Sequence, residues 1–226
     1  LTPNKSYWGN KAKNNGINFI AYNSSSALYG AFISKQVDVL LSNSIEDTLR
    51  YKLNLLSQKK DIQENKSEPI EISFISLRTN KIPLNNADIR LAIAKSLNRE
   101  LIRNKVSFSL RNSATSLIPL IFKKDNSVSW PDFDPKESKR IFKAQGYCDG
   151  NIFNLPLTYR SNVPTDKLIA FYWQQSVKAE MKDCFSISVN GVESTTIYKN
   201  LSEGIYPSVI LDWTGAYSDP KAYLSP

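Results

Sequence analysis

Short apolar runs alternate along this chain with segments that carry helix punctuation, and this alternation constrains the fold more tightly than any bulk property. Strand-like runs are Ile17 to Tyr22, Val37 to Leu41, Ile70 to Leu77, Ile152 to Tyr159, Phe185 to Val189 and Pro207 to Asp212. Between them lie Ala27 to Ser34 as a short helix and a longer one that Asp88 caps and that runs to about Arg103. The longer one sets Ile89, Ala92, Ile93, Leu97 and Leu101 on one face at helical spacing. Asp134-Pro135-Lys136-Glu137 is a helix start. Asp accepts from free amides, Pro suits the first turn, Glu suits the positive helix end, and Gly146 supplies the stop. Thr165 opens a helix through Met181 with a broad apolar face, Ile169, Tyr172, Trp173, Val177 and Met181. Another helix, Thr195 to Glu203, stops at Gly204, and the polar stretch Gln58 to Glu68 reads as an exposed loop. The fold class this predicts is α/β in the broad sense, mixed α+β included.

Composition narrows the chemistry. The 226 residues contain no His, which removes the commonest general base and the commonest metal ligand. With two Cys and no clustered Cys or Asp motif, neither a zinc site nor a Cys-His nucleophile is expected. There is no GxSxG, P-loop or GxGxxG. The expectation is no catalytic residue, no metal and no cofactor: a protein that is not an enzyme. The formal charge of +8, from 29 Lys and Arg against 21 Asp and Glu, raises the question of a polyanion partner. The basic residues are scattered, however, and the densest clusters, Lys59-Lys60 and Lys123-Lys124, form no stripe interleaved with aromatics, so no nucleic-acid partner is expected. The apolar runs fall well short of the roughly 20 residues of a membrane-spanning helix. The first residues, Leu1-Thr2-Pro3-Asn4-Lys5, carry neither an initiating Met nor a signal-peptide pattern, so any export signal or lipid anchor is expected outside this segment.

Cys148 and Cys184 each stand just before a strand-like run. If those two strands are parallel neighbours joined by the intervening helix, their starts share one sheet edge and the sulfurs come within bridging range. A disulfide would favour an oxidising compartment, and two reduced, half-buried cysteines are the alternative.

Several stretches resemble the family 5 solute-binding proteins, the group of oligopeptide, dipeptide and nickel binders. Asn4-Lys5-Ser6-Tyr7-Trp8-Gly9 is similar to the family's NPxYWG segment, and Phe32 to Val39 (FISKQVDV) to its "L..GevDv" element. Leu77 to Arg99 (LRTNKIPLNNADIRLAIAKSLNR) resembles "fN...pPl.D.rVRqAiayAiDR". Asp134-Pro135 with Ala144-Gln145-Gly146-Tyr147, and then Trp213 to Pro220 (WTGAYSDP), resemble the later "DpekAkkLL.eaGY" and "W.adypDP" elements in the same order.

The resemblance implies a periplasmic-binding-protein-like fold of type II with two lobes, of which this chain holds part of the first lobe (1–75) and most of the second (76–226), cut short at its C-terminal side. Ile75 to Asn80 would be the crossover, with Arg78 and Asn80 as hinge residues. The implied function is the substrate-binding component of an ABC transporter. It would capture a peptide or similar small solute between the lobes and present it to a membrane permease, in the periplasm or another extracytoplasmic space. Any membrane association would run through the permease or a lipid anchor. A solute-sensing domain of a cytoplasmic regulator is the alternative. Asp212, Trp213, Thr214, Gly215, Ala216 and Tyr217 are the implied ligand-binding residues, because a strand end with backbone groups and aromatic walls suits a cleft. Ala216 stands where peptide binders of the family carry an Asp for the peptide's amino terminus, so docking in that mode is not expected unless Asp212 or Asp219 substitutes. Ile210, in turn, holds the place of a basic residue that some oligopeptide binders have for the carboxylate.

Overall fold

A computed structural model describes residues 1–41, 45–122 and 130–224. The chain divides into two compact units, Leu1–Arg50 and Tyr51–Pro226.

The first unit is sparse in regular structure. Helix α1, Ser25–Ile33, begins where Ser24 accepts from the Ala27 amide, and α2, Asp47–Gln58, starts at the end of this unit and runs on into the second. Residues 17–22 and 37–41, expected as strands, form no strand: Ile17 exchanges amide and carbonyl bonds with Leu1, but no ladder follows, and Ile17, Phe19, Ile20, Val39 and Leu41 are exposed. Apolar content makes a strand only where a neighbouring strand takes up its amides and carbonyls, and none does so here among the described residues. Helix α2 was not expected, although Leu49, Leu53 and Leu56 recur at helical spacing along it.

The second unit is built on a four-stranded sheet in the order β1-β4-β2-β3, with β1 Glu71–Leu77, β2 Phe153–Arg160, β3 Phe185–Val192 and β4 Ser208–Thr214. Strand β1 runs antiparallel to β4, from Glu71 opposite Thr214 to Leu77 opposite Ser208. Strand β2 runs parallel to β3, with Phe153 opposite Phe185, and parallel to β4, with Leu157 opposite Ser208. The parallel pairings require long crossovers. Helix α6, Pro164–Met181, joins β2 to β3, and α7, Ser194–Asn200, joins β3 to β4.

The single helix expected from Asp88 to Arg103 is two: α3, Ala87–Lys95, and α4, Arg99–Val106. Asn86, not Asp88, caps α3 by accepting from the Asp88 amide, and Asn98 caps α4 by accepting from the Leu101 amide. At the break Ser96 Oγ donates to Ile93 O and accepts from the Trp173 indole, so a buried polar knot takes the place of a helical turn. Helix α5, Pro135–Ala144, starts as expected, with Asp134 accepting from the Glu137 amide, and ends before Gly146, whose φ of +84° favours glycine. Helix α6 opens at Pro164, with no side-chain cap, and α7 is shorter than expected, ending at Asn200 before a turn to Gly204. A 3₁₀ turn, Leu120–Phe122, and α8, Lys221–Leu224, complete the elements.

Alternation along the strands sends side chains to two faces. On one, Leu155, Leu157, Phe185, Ile187 and Ile210 meet Ile89, Ile93, Phe142, Trp173 and Val177 in one continuous core. On the other, Val209 and Leu211 meet Ile197 of α7 in a small cluster edged by Phe74, Val192, Leu201 and Tyr206. Cys148 and Cys184 are joined by a disulfide and sit in the larger core, just ahead of the parallel starts of β2 and β3.

Candidate functional site

The C-terminal ends of parallel strands are where α/β sheets present ligand sites, because the chain leaves the sheet there and the loops part. Strands β2 and β4 end at Arg160 and Thr214, and the charge at that edge is concentrated on Arg160. Its side chain is buried, and each of its five N–H groups has a partner. Nε and Nη2 donate to the two oxygens of Asp166 at 2.6 and 3.0 Å. Nη1 and Nη2 donate to the two oxygens of Asp212 at 2.6 and 2.9 Å, and Nη1 also donates to Tyr198 Oη at 3.2 Å. One guanidinium thus ties β2, the first turn of α6, β4 and α7 together.

Burial by itself would lower the Arg160 pKa, but the bonds to Asp166 and Asp212 outweigh it and hold the group above its ordinary value. Burial pushes the Asp166 carboxyl up, and Arg160 opposes that push. The two partners therefore lean in opposite senses. The double fork-to-carboxylate geometry decides for an ionised cluster of one cation and two anions, with Asp212 as the partly exposed member. All five donors being engaged, Arg160 has none left for an anionic ligand.

Past Asp212 the chain forms a braced loop. The half-exposed Trp213 donates its indole N–H to Ala222 O at 2.9 Å, and Tyr223 Oη donates to Ile70 O at 2.6 Å, beside the start of β1. Asp219 Oδ1 accepts from the Lys221 amide, and the Ala222 amide donates to Asp219 O. Gly215 is required by close approach, since a Cβ there would lie 2.8 Å from the Tyr223 ring and 2.9 Å from the Ala222 methyl. Thr214, Ala216 and Tyr217 are exposed. The residues expected from 212 to 217 are thus brought together at one strand end, Asp212 turned to Arg160 and Trp213 braced on Ala222.

Arg78 and Asn80 lie elsewhere. They follow the end of β1 that pairs with Ser208, where the Arg78 amide donates to Pro207 O and Arg78 Nε donates to Asn80 Oδ1. Sequence reasoning missed Arg160, Asp166 and Tyr198. The available signal was an arginine closing a buried apolar strand, a position that demands a carboxylate partner. Among the described residues no group of three or more Cys, Asp or Glu is gathered as a metal site, and no helix is long and apolar enough to cross a membrane. Lys123 and Lys124 lie outside the described residues.

Residues 1–226 match the sequence profile of bacterial extracellular solute-binding proteins, family 5, middle region. The nickel-binding periplasmic protein of Escherichia coli is 22% identical over 98% of this chain and 44% of its own length. The dipeptide-binding protein of Escherichia coli is 21% identical over 97% of this chain and 40% of its own. The chain therefore spans less than half the length of these relatives. NikA from Brucella suis in complex with Fe(III)-EDTA superposes with a TM-score of 0.84 at 22% identity, covering 99% of this chain and 46% of that one. DppA from Helicobacter pylori in complex with the peptide STSA superposes with a TM-score of 0.76 at 21% identity, covering 99% of this chain and 41% of that one. At such identities these superpositions establish the fold, that of the periplasmic binding proteins.

Proposed function

The chain belongs to the family 5 bacterial extracellular solute-binding proteins, and on that premise we propose that the whole protein captures a small solute and delivers it to the permease of an ABC importer. The observation that carries this reading is the braced loop after β4. It holds Trp213 and Tyr217 in the open at a strand end, with a fully bonded arginine behind it. That is a wall for a ligand. Family membership supports a binder over an enzyme. The relatives named periplasmic support an extracytoplasmic location. The disulfide favours an oxidising space over the cytoplasm of the alternative regulator.

For the lobe boundary, expected at residue 75, we propose a place before Glu71; the pairing of β1 with β4 along its whole length supports this. Arg78 and Asn80 then stand at the far end of β1 from the crossover.

The solute we propose is one that asks for no charged partner from this wall. Ala216 offers none, Asp212 is engaged by Arg160, Asp219 organises its own turn, and Arg160 has no free donor. A free peptide amine buried here without a carboxylate would be disfavoured by several kcal/mol. Sugars and modified peptides that lack a free amine fit better than unmodified peptides. The test is thermal unfolding of the full-length protein against di- to pentapeptides, sugars, opines and metal chelates. A ligand at 100 times its Kd adds about 2.7 kcal/mol to the folded state. Stabilisation by a non-peptide solute supports the reading, and stabilisation by unmodified peptides alone would sink the choice of solute. Turnover of any of these compounds would sink the binder.

A further inference from the structure

The opposite end of the sheet holds a second arginine whose circumstances are the reverse of those of Arg160. Arg78 spends its Nε on Asn80 Oδ1, and neither Nη group has a hydrogen-bond or ion-pair partner among the described residues. The guanidinium is held by that one bond. It lies over Gly204, where a Cβ would overlap its Cζ and both Nη atoms, and the Arg78 backbone is pinned by its amide bond to Pro207 O. Gly204 has φ +66°, so the turn after α7 uses a glycine for its backbone angle.

Around this head is an open hollow of about 430 Å³. Its floor is Leu201, Val209 and Leu211, the outer side of the small cluster beneath α7. Ser76, Thr79 and Tyr206 line it, and their hydroxyls form no hydrogen bond among the described residues. An apolar floor, three uncommitted hydroxyls and one fork of donors are the ingredients of a small-molecule site, and the size falls in the usual range of about 300–1,000 Å³. A cation with two free donors side by side selects a planar carboxylate.

We propose that this hollow binds a small monocarboxylate with an aliphatic body, the carboxylate on Arg78 and the chain on Leu201, Val209 and Leu211. The site lies at the N-terminal edge of the parallel strands, at the other end of β4 from Trp213, and does not depend on the solute-binding reading.

The probes are hexanoate and its uncharged analogue hexanamide, titrated calorimetrically into the full-length protein and its Arg78→Gln variant. Hexanoate binds with 1:1 stoichiometry to the parent, and both the amide and the variant weaken binding by about tenfold or more, the usual cost of losing a charge-assisted pair. On the unmodified protein, phenylglyoxal followed by peptide mapping gives an independent reading: Arg78 is modified, and hexanoate protects it. The proposal is overturned by equal affinity for hexanamide, by undiminished binding in Arg78→Gln, or by an Arg78 that phenylglyoxal cannot reach because another part of the full-length protein already covers it.

Discussion

The two faces of the sheet in the second unit are covered unequally. One carries α3, α5 and α6 over a core that includes Phe142, Trp173 and Phe185, with the disulfide at its margin. The other has the seven residues of α7 over a cluster whose fully buried members are Ile197, Val209 and Leu211. The same strands serve both, so the difference is a matter of what the crossovers supply. The 18-residue helix α6 buries Ala170, Trp173, Val177 and Met181, whereas α7 buries Ile197 alone. A thick layer buys rigidity on one side, and a thin one leaves room on the other for the hollow beside Arg78.

The sharpest way to break this contrast is by truncating one side chain on each face. Phe142 is fully buried and stacked on Phe185, with Phe153 and Tyr147 around it. Phe142→Ala is expected to cost about 3–5 kcal/mol, since a ring-sized cavity in a dense core collapses only partly. Val209→Ala removes two methyl groups from the small cluster and is expected to cost about 1–2 kcal/mol. Urea unfolding of the full-length variants measures both, and equal losses would show that the thin face is packed as firmly as the thick one.

The disulfide gives the next largest effect. It closes a loop of 36 residues in sequence between the end of α5 and the start of β3, a constraint on the unfolded chain worth about 2–4 kcal/mol. Replacing both cysteines with Ala is expected to lower the Tm and to expose the thick face first. Hydrogen exchange would register this as lost protection in β2 and β3 ahead of α7. Simultaneous loss across both faces would mean that the two layers unfold as one unit.

Much of the thick face was legible in the sequence because its helices carry chemical punctuation. Asp134-Pro135 and Gly146 mark α5 to the residue, and the apolar face of α6 repeats at helical spacing. The break between α3 and α4 was not legible. Apolar spacing runs straight through Ser96 to Asn98, and the interruption depends on the Trp173 indole, 77 residues away. Strands were legible only where a partner exists: the run from Ile70 to Leu77 pairs with β4, whereas those at 17–22 and 37–41 have the composition and lack the ladder. At the candidate site the loop residues 212–217 were readable from their aromatics and glycine. The Arg160 hub was not, because it depends on the register that sets the end of β2 beside Asp212. Arg78 was read as a hinge from its place in a motif, and the strand pairing sets it just past Leu77, beside the start of β4.

The smallest expected effect is that of acid, and it too distinguishes the faces. Glu137, Asp183 and Glu193 all have pKa values below the ordinary carboxylate range. Glu137 is held down by its bond from Arg140, Asp183 by Lys139, and Glu193 by Thr195, whose amide and hydroxyl it accepts at the start of α7. A carboxyl whose folded pKa is depressed lends stability above its unfolded pKa and loses it as pH falls through the folded value. Asp166, raised by burial, acts in the opposite sense and takes up its proton earlier on the way down, so it offsets part of the loss at the upper end of the acid range. The net expectation is a Tm that declines as pH drops below about 4, where the unperturbed carboxyls titrate. Helix α5 keeps its Asp134 cap, its Pro135 and its burial of Ile141 and Phe142, so protonating Glu137 removes one support among several. Helix α7 has seven residues, one buried side chain and Glu193 as its cap. Its amides should therefore lose hydrogen-exchange protection at a higher pH than those of α5, and Glu193→Gln should bring that loss to neutral pH while leaving α5 unchanged. If α7 stayed protected in Glu193→Gln, the thin face would owe its hold to the cluster of Ile197, Val209 and Leu211 and not to its cap.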